Sequence, residues 1–362
     1  MNALFRQAEL FPACEASGIV SDPMIDEAVV AGAWIVFSLS GGKDCGAVAA
    51  ETMAYLDAVG HPRERRYAMH ADLGRAEWPF NEEQVKAQAA ALGLPLRIER
   101  NSAGDLVRRF ENRWQLGLAA YVEMRCYNLR GPWSSPDLKF CQSEQKIQVL
   151  GPAVMRAHPG ETIIQITGLR RQESRARRDT PIAKRDGRFV KPDTRAYRIG
   201  TRMLVWNPGV LLLEEQVFAL NRRHGIPLSP AYALGASRHS CRFCIMAGAD
   251  DLEVAARYED NLDMYRHYVG LEITSSFSFQ GNRWLGDVAP DLLLPEQVVG
   301  LAGAKVLMAE RRMVEAEMPA RHRYVDGWPL HVPDAEEARI ILDARRVILG
   351  HHRVTSIYDT PA

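Results

Sequence analysis

The chain has 362 residues, 47% apolar and 25% charged, with equal numbers of basic and acidic side chains and a formal net charge of zero. That length holds one full domain of about 100–200 residues and a smaller module, and the charge balance excludes a globally basic nucleic-acid binder while allowing a local patch. No apolar run approaches the ~20 residues that span a bilayer, and Met1–Arg6 does not lead into a long apolar core, so a cytoplasmic protein with no membrane partner is expected.

In chain order, residues 1–25 read as an irregular arm and 26–31 as a short helix leading into an apolar strand, Trp34-Ile35-Val36-Phe37. The apolar run stops at Ser38-Leu39-Ser40-Gly41-Gly42-Lys43-Asp44, and an Ala-rich helix runs from Cys45 to Val59. A second strand at 67–71 ends at Asp72-Leu73-Gly74, a polar helix starts at Asn81, and a third strand covers 96–98. A buried strand at 162–167 runs into Gly168-Leu169-Arg170, and a helix covers 211–223. Strands alternating with helices imply a parallel sheet, whose ligands bind outside the carboxyl ends of the strands. Beyond 250 the pattern is helical, with helices expected at 250–270, 294–317 and 334–349.

Gly41 and Gly42 let backbone amides turn toward an anion, the N-terminus of the next helix adds its positive dipole end, and Lys43 adds a full charge. The spacing fits neither the Walker nor the dinucleotide pattern; the bland alternative is a tight strand-to-helix turn. The loop resembles the SGGxDS loop of PP-loop ATP pyrophosphatases, with Cys45 at the usual final Ser. The resemblance continues in order through His70-Ala71-Asp72-Leu73-Gly74 with Glu77-Trp78-Pro79, then Gly168-Leu169-Arg170 with Glu173-Ser174 and Arg177. It closes with Tyr232, Gly235, Arg238 and Cys241-Arg242-Phe243-Cys244. These are motifs of the phosphoadenosine phosphosulfate reductase-like branch, and they cover about residues 30–250.

The resemblance implies an α/β fold with a Rossmann-like doubly wound parallel sheet of the adenine nucleotide alpha-hydrolase-like type. The expected division is an arm at 1–25, an ATP-binding domain at 26–249 and a helical region at 250–362. It implies ATP and Mg²⁺ as cofactors, held by Ser38, Ser40, Gly41, Gly42, Lys43, Asp44, Cys45, Asp72, Gly168, Arg170 and Arg177, with Lys43, Asp44 and Arg170 as the catalytic groups. At Cys45 two readings stand: a small residue filling the serine's space, or a thiol whose pKa the helix N-terminus lowers.

Cys241 and Cys244 are spaced to place two thiolates on one metal. By the resemblance Cys141 is a third ligand to an iron-sulfur cluster (4Fe-4S) and Cys126 a candidate fourth, although Phe140 stands where iron-sulfur relatives carry a paired cysteine. Zinc or a dithiol switch fits the same spacing. Between Arg170 and Arg202 lie ten basic residues against four acidic ones, either a solvated loop or a surface for nucleotide or polynucleotide phosphate. Trp206 reads as core.

A sulfonucleotide reductase needs a late mobile thiol, and no cysteine follows Cys244. The expectation is therefore an ATP pyrophosphatase that adenylates an acceptor for sulfur transfer, releasing pyrophosphate and AMP. The acceptor favoured is the DNA backbone, as in phosphorothioation, with tRNA thiolation close behind and a sulfur donor such as a cysteine desulfurase as partner. The alternatives are the reductase and a non-catalytic nucleotide-sensing or DNA-binding subunit.

Overall fold

Alternation along the strands sets the architecture of the computed structural model, which describes residues 18–323 and 331–359. Six strands, β1 (Trp34–Ser38), β2 (Arg66–Asp72), β3 (Leu96–Arg100), β4 (Thr162–Ile166), β5 (Ala183–Arg185) and β6 (Arg202–Trp206), form one sheet in the order β3-β2-β1-β4-β6-β5. All neighbours pair in parallel except β5, which joins β6 antiparallel at the edge. On one face Ile35, Phe37, Ala68, Ile164 and Ile166 pack with residues of the helices Pro23–Val30, Lys43–Ala58, Asn81–Ala91 and Glu214–His224. On the other, Val36, Tyr67, Met69 and Ile163 pack with Leu150 and Val154 of the helix Gln148–Ala157. Residues one apart thus go to opposite faces, as the period of 2 requires, and each face is covered. This is the expected doubly wound α/β sheet.

The chain forms two compact units. Among the described residues, one comprises the chain up to Leu73, with Glu77–Ala103 and Cys141–Ser240; the other comprises Gly74–Ala76, Gly104–Phe140 and those from Cys241 onward. The first carries the sheet. The second contains the helices Leu106–Val122, Ala249–Arg257, Leu262–Ser275, Pro295–Glu317 and Ala335–His351, so Leu106–Val122 joins the C-terminal helices instead of the α/β part that precedes it in sequence. The helix expected at 250–270 is broken at Tyr258, whose extended backbone (φ −75°, ψ 122°) interrupts the helical ladder.

Of the expected arm at 1–25, residues 1–17 lie outside the described residues. The first helix starts at Pro23, where Asp22 caps it by accepting from the Met24 amide at 3.0 Å. Among the described residues no helix is long and apolar enough to cross a membrane.

Candidate active site

β1 and β4 are neighbours, yet β1 leads by way of β2 toward one edge and β4 by way of β6 toward the other. The loops after β1 and β4 therefore flank the switch point of the sheet, where open α/β folds bind ligands. After β1 the chain turns through Gly41, with φ +83°. A Cβ there would lie 2.6 Å from Asn81 Oδ1 and 3.1 Å from His239 Nε2, so both backbone sign and space demand glycine. Gly42 caps the helix Lys43–Ala58 with no side-chain hydrogen bond, which leaves the first-turn amides to other partners.

The loop is held from beneath. Gln88, fully buried on the helix Asn81–Ala91, donates from Nε2 to the carbonyls of Gly41 and Gly42, each at 3.2 Å. His239 Nε2 lies 2.9 Å from the Ser40 carbonyl and 2.8 Å from Asn81 Oδ1. Two acceptors at one nitrogen fix the Nε2–H tautomer, with Nδ1 2.8 Å from Ser229 Oγ. Burial pushes the His239 pKa down to about 4, so the ring is neutral. His70, buried in β2, has Nδ1 2.9 Å from the Leu39 carbonyl and Nε2 3.1 Å from Glu77. Burial opposes its protonation, but the hydrogen bond and charge of Glu77 outweigh that and raise its pKa above the ordinary value.

Cys45 is buried, and its Sγ lies 3.3 Å from the Ser40 amide, 3.5 Å from Ser40 Oγ and 3.1 Å from the Gly42 carbonyl. Burial pushes the thiol up, ahead of the opposing hydrogen bonds from Ser40. The helix N-terminus therefore does not produce a thiolate, and Cys45 closes the loop in the position of a serine.

Lys43 is not a bare cation at the mouth of the loop. Its Nζ is 2.9 Å from Glu214 and 3.9 Å from Asp44, and lies over the rings of Phe218 at 5.4 Å and Tyr232 at 5.3 Å. The hydrogen bond from Lys43 holds the Glu214 carboxyl below its usual range. The Tyr232 hydroxyl, whose pKa burial raises to about 12, accepts from the Lys43 amide at 3.2 Å. Asn221 Nδ2 donates to the Lys43 carbonyl at 2.9 Å.

From the other side, Gly168 approaches so closely that a Cβ would stand 2.6 Å from the Cys45 amide nitrogen and 2.7 Å from its Cα. That approach brings buried Arg170 onto the loop, where its Nε ion-pairs with Asp44 and its Nη1 donates to Gln172 Oε1 at 2.8 Å. Ser38 Oγ accepts from Gln165 Nε2 of β4 at 3.1 Å, and Ser40 is exposed. Asp72 ends β2 at the same sheet edge, paired with Arg100 of β3. Arg177 is paired with Glu173; burial first, then the charge of Arg238, lowers its pKa.

The proposed metal ligands fare differently. Cys126 is buried in the helical unit, Cys241 and Cys244 are half-buried there, and Cys141 is half-buried in the sheet-bearing unit. Among the described residues no group of three or more His, Cys, Asp or Glu side chains is placed to hold a metal ion. The basic stretch is partly internally satisfied: Arg171 donates to the Thr180 carbonyl at 2.9 and 3.0 Å, and Arg188 pairs with Asp186. Trp206 is wholly buried.

No family model matches the chain. The chain is 32% identical over 139 residues to a protein of Escherichia phage 186 described as an uncharacterized 37.8 kDa protein in the gpa 5' region. The match takes in 37% of this chain and only 38% of that relative's length. Among solved structures it is similar to phosphoadenylyl-sulfate (PAPS) reductase from Candida auris in a phosphate complex, at 14% identity and a TM-score of 0.39, over 65% of this chain and 95% of that one.

Sequence reasoning missed Glu214, Gln88, Asn221 and His239. Gln84 and Gln88 repeat at i, i+4 on an otherwise Ala-rich helix, and Asn221 interrupts the buried face of its helix. Both are polar residues where apolar ones belong, a signal that something nearby needs hydrogen bonds.

Proposed function

We propose that the sheet-bearing unit binds ATP at the Ser38–Asp44 loop and cleaves it between the α- and β-phosphates, transferring AMP to an acceptor. The observation that carries this reading is the loop at the sheet's switch point, joined through the Asp44–Arg170 pair to the segment after β4. An anion there meets first-turn amides, the helix dipole and a guanidinium in one place.

The acceptor oxygen attacks the α-phosphorus, the bond to the bridging oxygen breaks, and pyrophosphate leaves with both electrons of that bond. A sulfur nucleophile then displaces AMP from the activated acceptor. Loop amides stabilise the charge growing on pyrophosphate. Arg170 has Nε and Nη1 engaged, which leaves Nη2 for a phosphate oxygen, and Lys43 exchanges Glu214 for the leaving group. Asp72 and the neighbouring backbone seat the nucleoside. Mg²⁺ fits as a companion of the triphosphate, since such sites use one or two carboxylates and draw their other ligands from phosphate and water; Asp44 is the carboxylate in the loop itself, and bound Mg²⁺ would neutralise phosphate charge. No step runs through an iron-sulfur cluster.

Nucleic acid is the proposed acceptor, with DNA preferred, on the support of the Arg- and Lys-rich stretch 170–202. The test is product analysis after incubation with Mg-ATP, with and without DNA or tRNA. Pyrophosphate matched in amount by AMP, free or carried on the nucleic acid, and abolished by Arg170→Ala, supports the reading. ADP and phosphate, or binding with no turnover in the presence of both nucleic acids, refute it.

A further inference from the structure

The helix Pro295–Glu317 of the helical unit presents two different faces. Leu301, Ala304, Arg311 and Glu315 are buried, and the helix packs against the helices Leu262–Ser275 and Ala335–His351. On the opposite side Val299, Ala302, Val306, Ala309, Met313 and Ala316 are all exposed among the described residues, the three larger side chains at 74%, 56% and 70%. Their spacing alternates three and four residues without a break. Residues so spaced share one helix face, and the six form an apolar stripe about 26 Å long at 1.5 Å per residue.

A single exposed Val or Ala is ordinary, but a solvated face does not require apolar residues at each third and fourth position in turn. That alternation is the a and d pattern by which two helices interlock. β-branched Val299 and Val306 at a suit a two-stranded pair, and alanine at every d lets the backbones come close.

The charges beside the stripe choose the partner and its direction. With the stripe at a and d, the e positions carry Glu296, Gly303, Glu310 and Glu317, and the g positions carry Val298, Lys305 and Arg312. One flank is acidic and the other basic. In a parallel pair of this helix each g residue meets the e residue five positions on in the other copy, so Lys305 faces Glu310 and Arg312 faces Glu317, each pair made twice by the two-fold axis. An antiparallel pair would set glutamate against glutamate and cation against cation.

These side chains have neighbours within the chain. Lys305 meets Asp287 at 2.6 Å, Glu310 meets His351 at 2.8 Å, and Arg312 donates to Asn282 Oδ1 and the Gly281 carbonyl at 2.8 and 2.9 Å. An ammonium has three donors, a guanidinium five, and a carboxylate accepts more than one bond, so a cross-helix contact adds to these without displacing them.

We propose that the helix Pro295–Glu317 joins two copies of this chain in parallel along the Val299–Ala316 stripe. The proposal rests on the helical unit alone and is independent of the chemistry at the Ser-Gly loop. A seam about 26 Å long and one helix wide falls short of the ~800 Å² per partner of a standard interface, so a dissociation constant of roughly 1–100 µM is expected.

Sedimentation velocity of the full chain across that range should show monomer giving way to dimer. Val306→Glu buries a like charge from each copy and should weaken the dimer about a hundredfold or more. Lys305→Glu and Glu310→Lys, each alone, set like charges opposite one another and should weaken it about tenfold, while the double variant reverses the pair and should restore it to within about threefold. All three positions are exposed, so circular dichroism should show the monomer fold unchanged, and the charge reversals carry the test alone if Val306→Glu does not fold. A chain that stays monomeric through that range, whether the stripe meets another segment of the chain or a different protein, overturns the proposal. So does a dimer that a folded Val306→Glu variant leaves intact, or one that ignores the single reversals or is not restored by the double one.

Discussion

Gly168→Ala puts the geometry of the loop under direct test. The new Cβ would lie 2.6 Å from the Cys45 amide nitrogen, 2.7 Å from its Cα and 2.9 Å from the Asp44 carbonyl carbon, where ordinary contact begins at 3.4 Å. All three neighbours are backbone, so no side chain can swing aside, and either the helix start or the β4 loop must retreat by about 0.8 Å, the difference between 3.4 and 2.6 Å. Overpacking of this kind costs about 1–3 kcal/mol, and the retreat pulls Arg170 away from Asp44. The stability loss, read by denaturant titration, is expected to be accompanied by a larger functional loss, because a misplacement near 1 Å costs on the order of 10²-fold in turnover. A Gly168→Ala protein with wild-type stability and wild-type ATP affinity would show that the two loops need not approach, and the reasoning would fail.

Cys45→Ser is expected to leave the fold within about 1 kcal/mol, since a hydroxyl makes the same bonds to Ser40 and Gly42, and to keep or improve ATP binding; wild-type Cys45 should alkylate slowly at neutral pH, and rapid alkylation would contradict its buried, protonated state. Glu214→Gln removes the competitor for Lys43, half-exposed as that carboxylate is, so ATP affinity measured by calorimetry should rise about two- to fivefold; a fall would show that Lys43 acts only through Glu214. His70 has a folded pKa above its unfolded value, so the stability it contributes is complete below about pH 6.5 and fades as pH climbs through the folded pKa. His70→Gln should flatten that part of the stability–pH curve, and an unchanged curve would remove the His70–Glu77 pair from the account. Asp44→Asn leaves Arg170 buried without its charge partner and should cost about 3 kcal/mol, again by denaturant titration.

The sequence carried the loop, the strands beside it and the order of its supporting motifs because each is local: an apolar run that stops at Ser-Gly-Gly, and a Gly-Leu-Arg after a buried strand. It did not carry strand order, and so could not say that the loops after β1 and β4 flank the switch point. Nor did it show that Glu214, 171 positions from Lys43, captures the ammonium, because an acidic residue in the first turn of a helix reads equally well as a dipole partner. Spacing places Cys241 beside Cys244, but nothing local says whether Cys141 and Cys126 come to meet them. The break at Tyr258 was hidden too, because the helical pattern continues through it while buried Asn261 turns back to the Ala255 carbonyl at 2.9 Å.

The central claim is cleavage of ATP between its α- and β-phosphates at this loop, and a single-turnover experiment with ATP labelled separately at the α- and γ-phosphates reads it most directly. With Mg²⁺ and an acceptor nucleic acid present, γ-label should appear in pyrophosphate and α-label in AMP or on the acceptor, at equal rates, with both lost in Arg170→Ala. Release of γ-label as inorganic phosphate with α-label in ADP, at a rate indifferent to Arg170, would contradict the account.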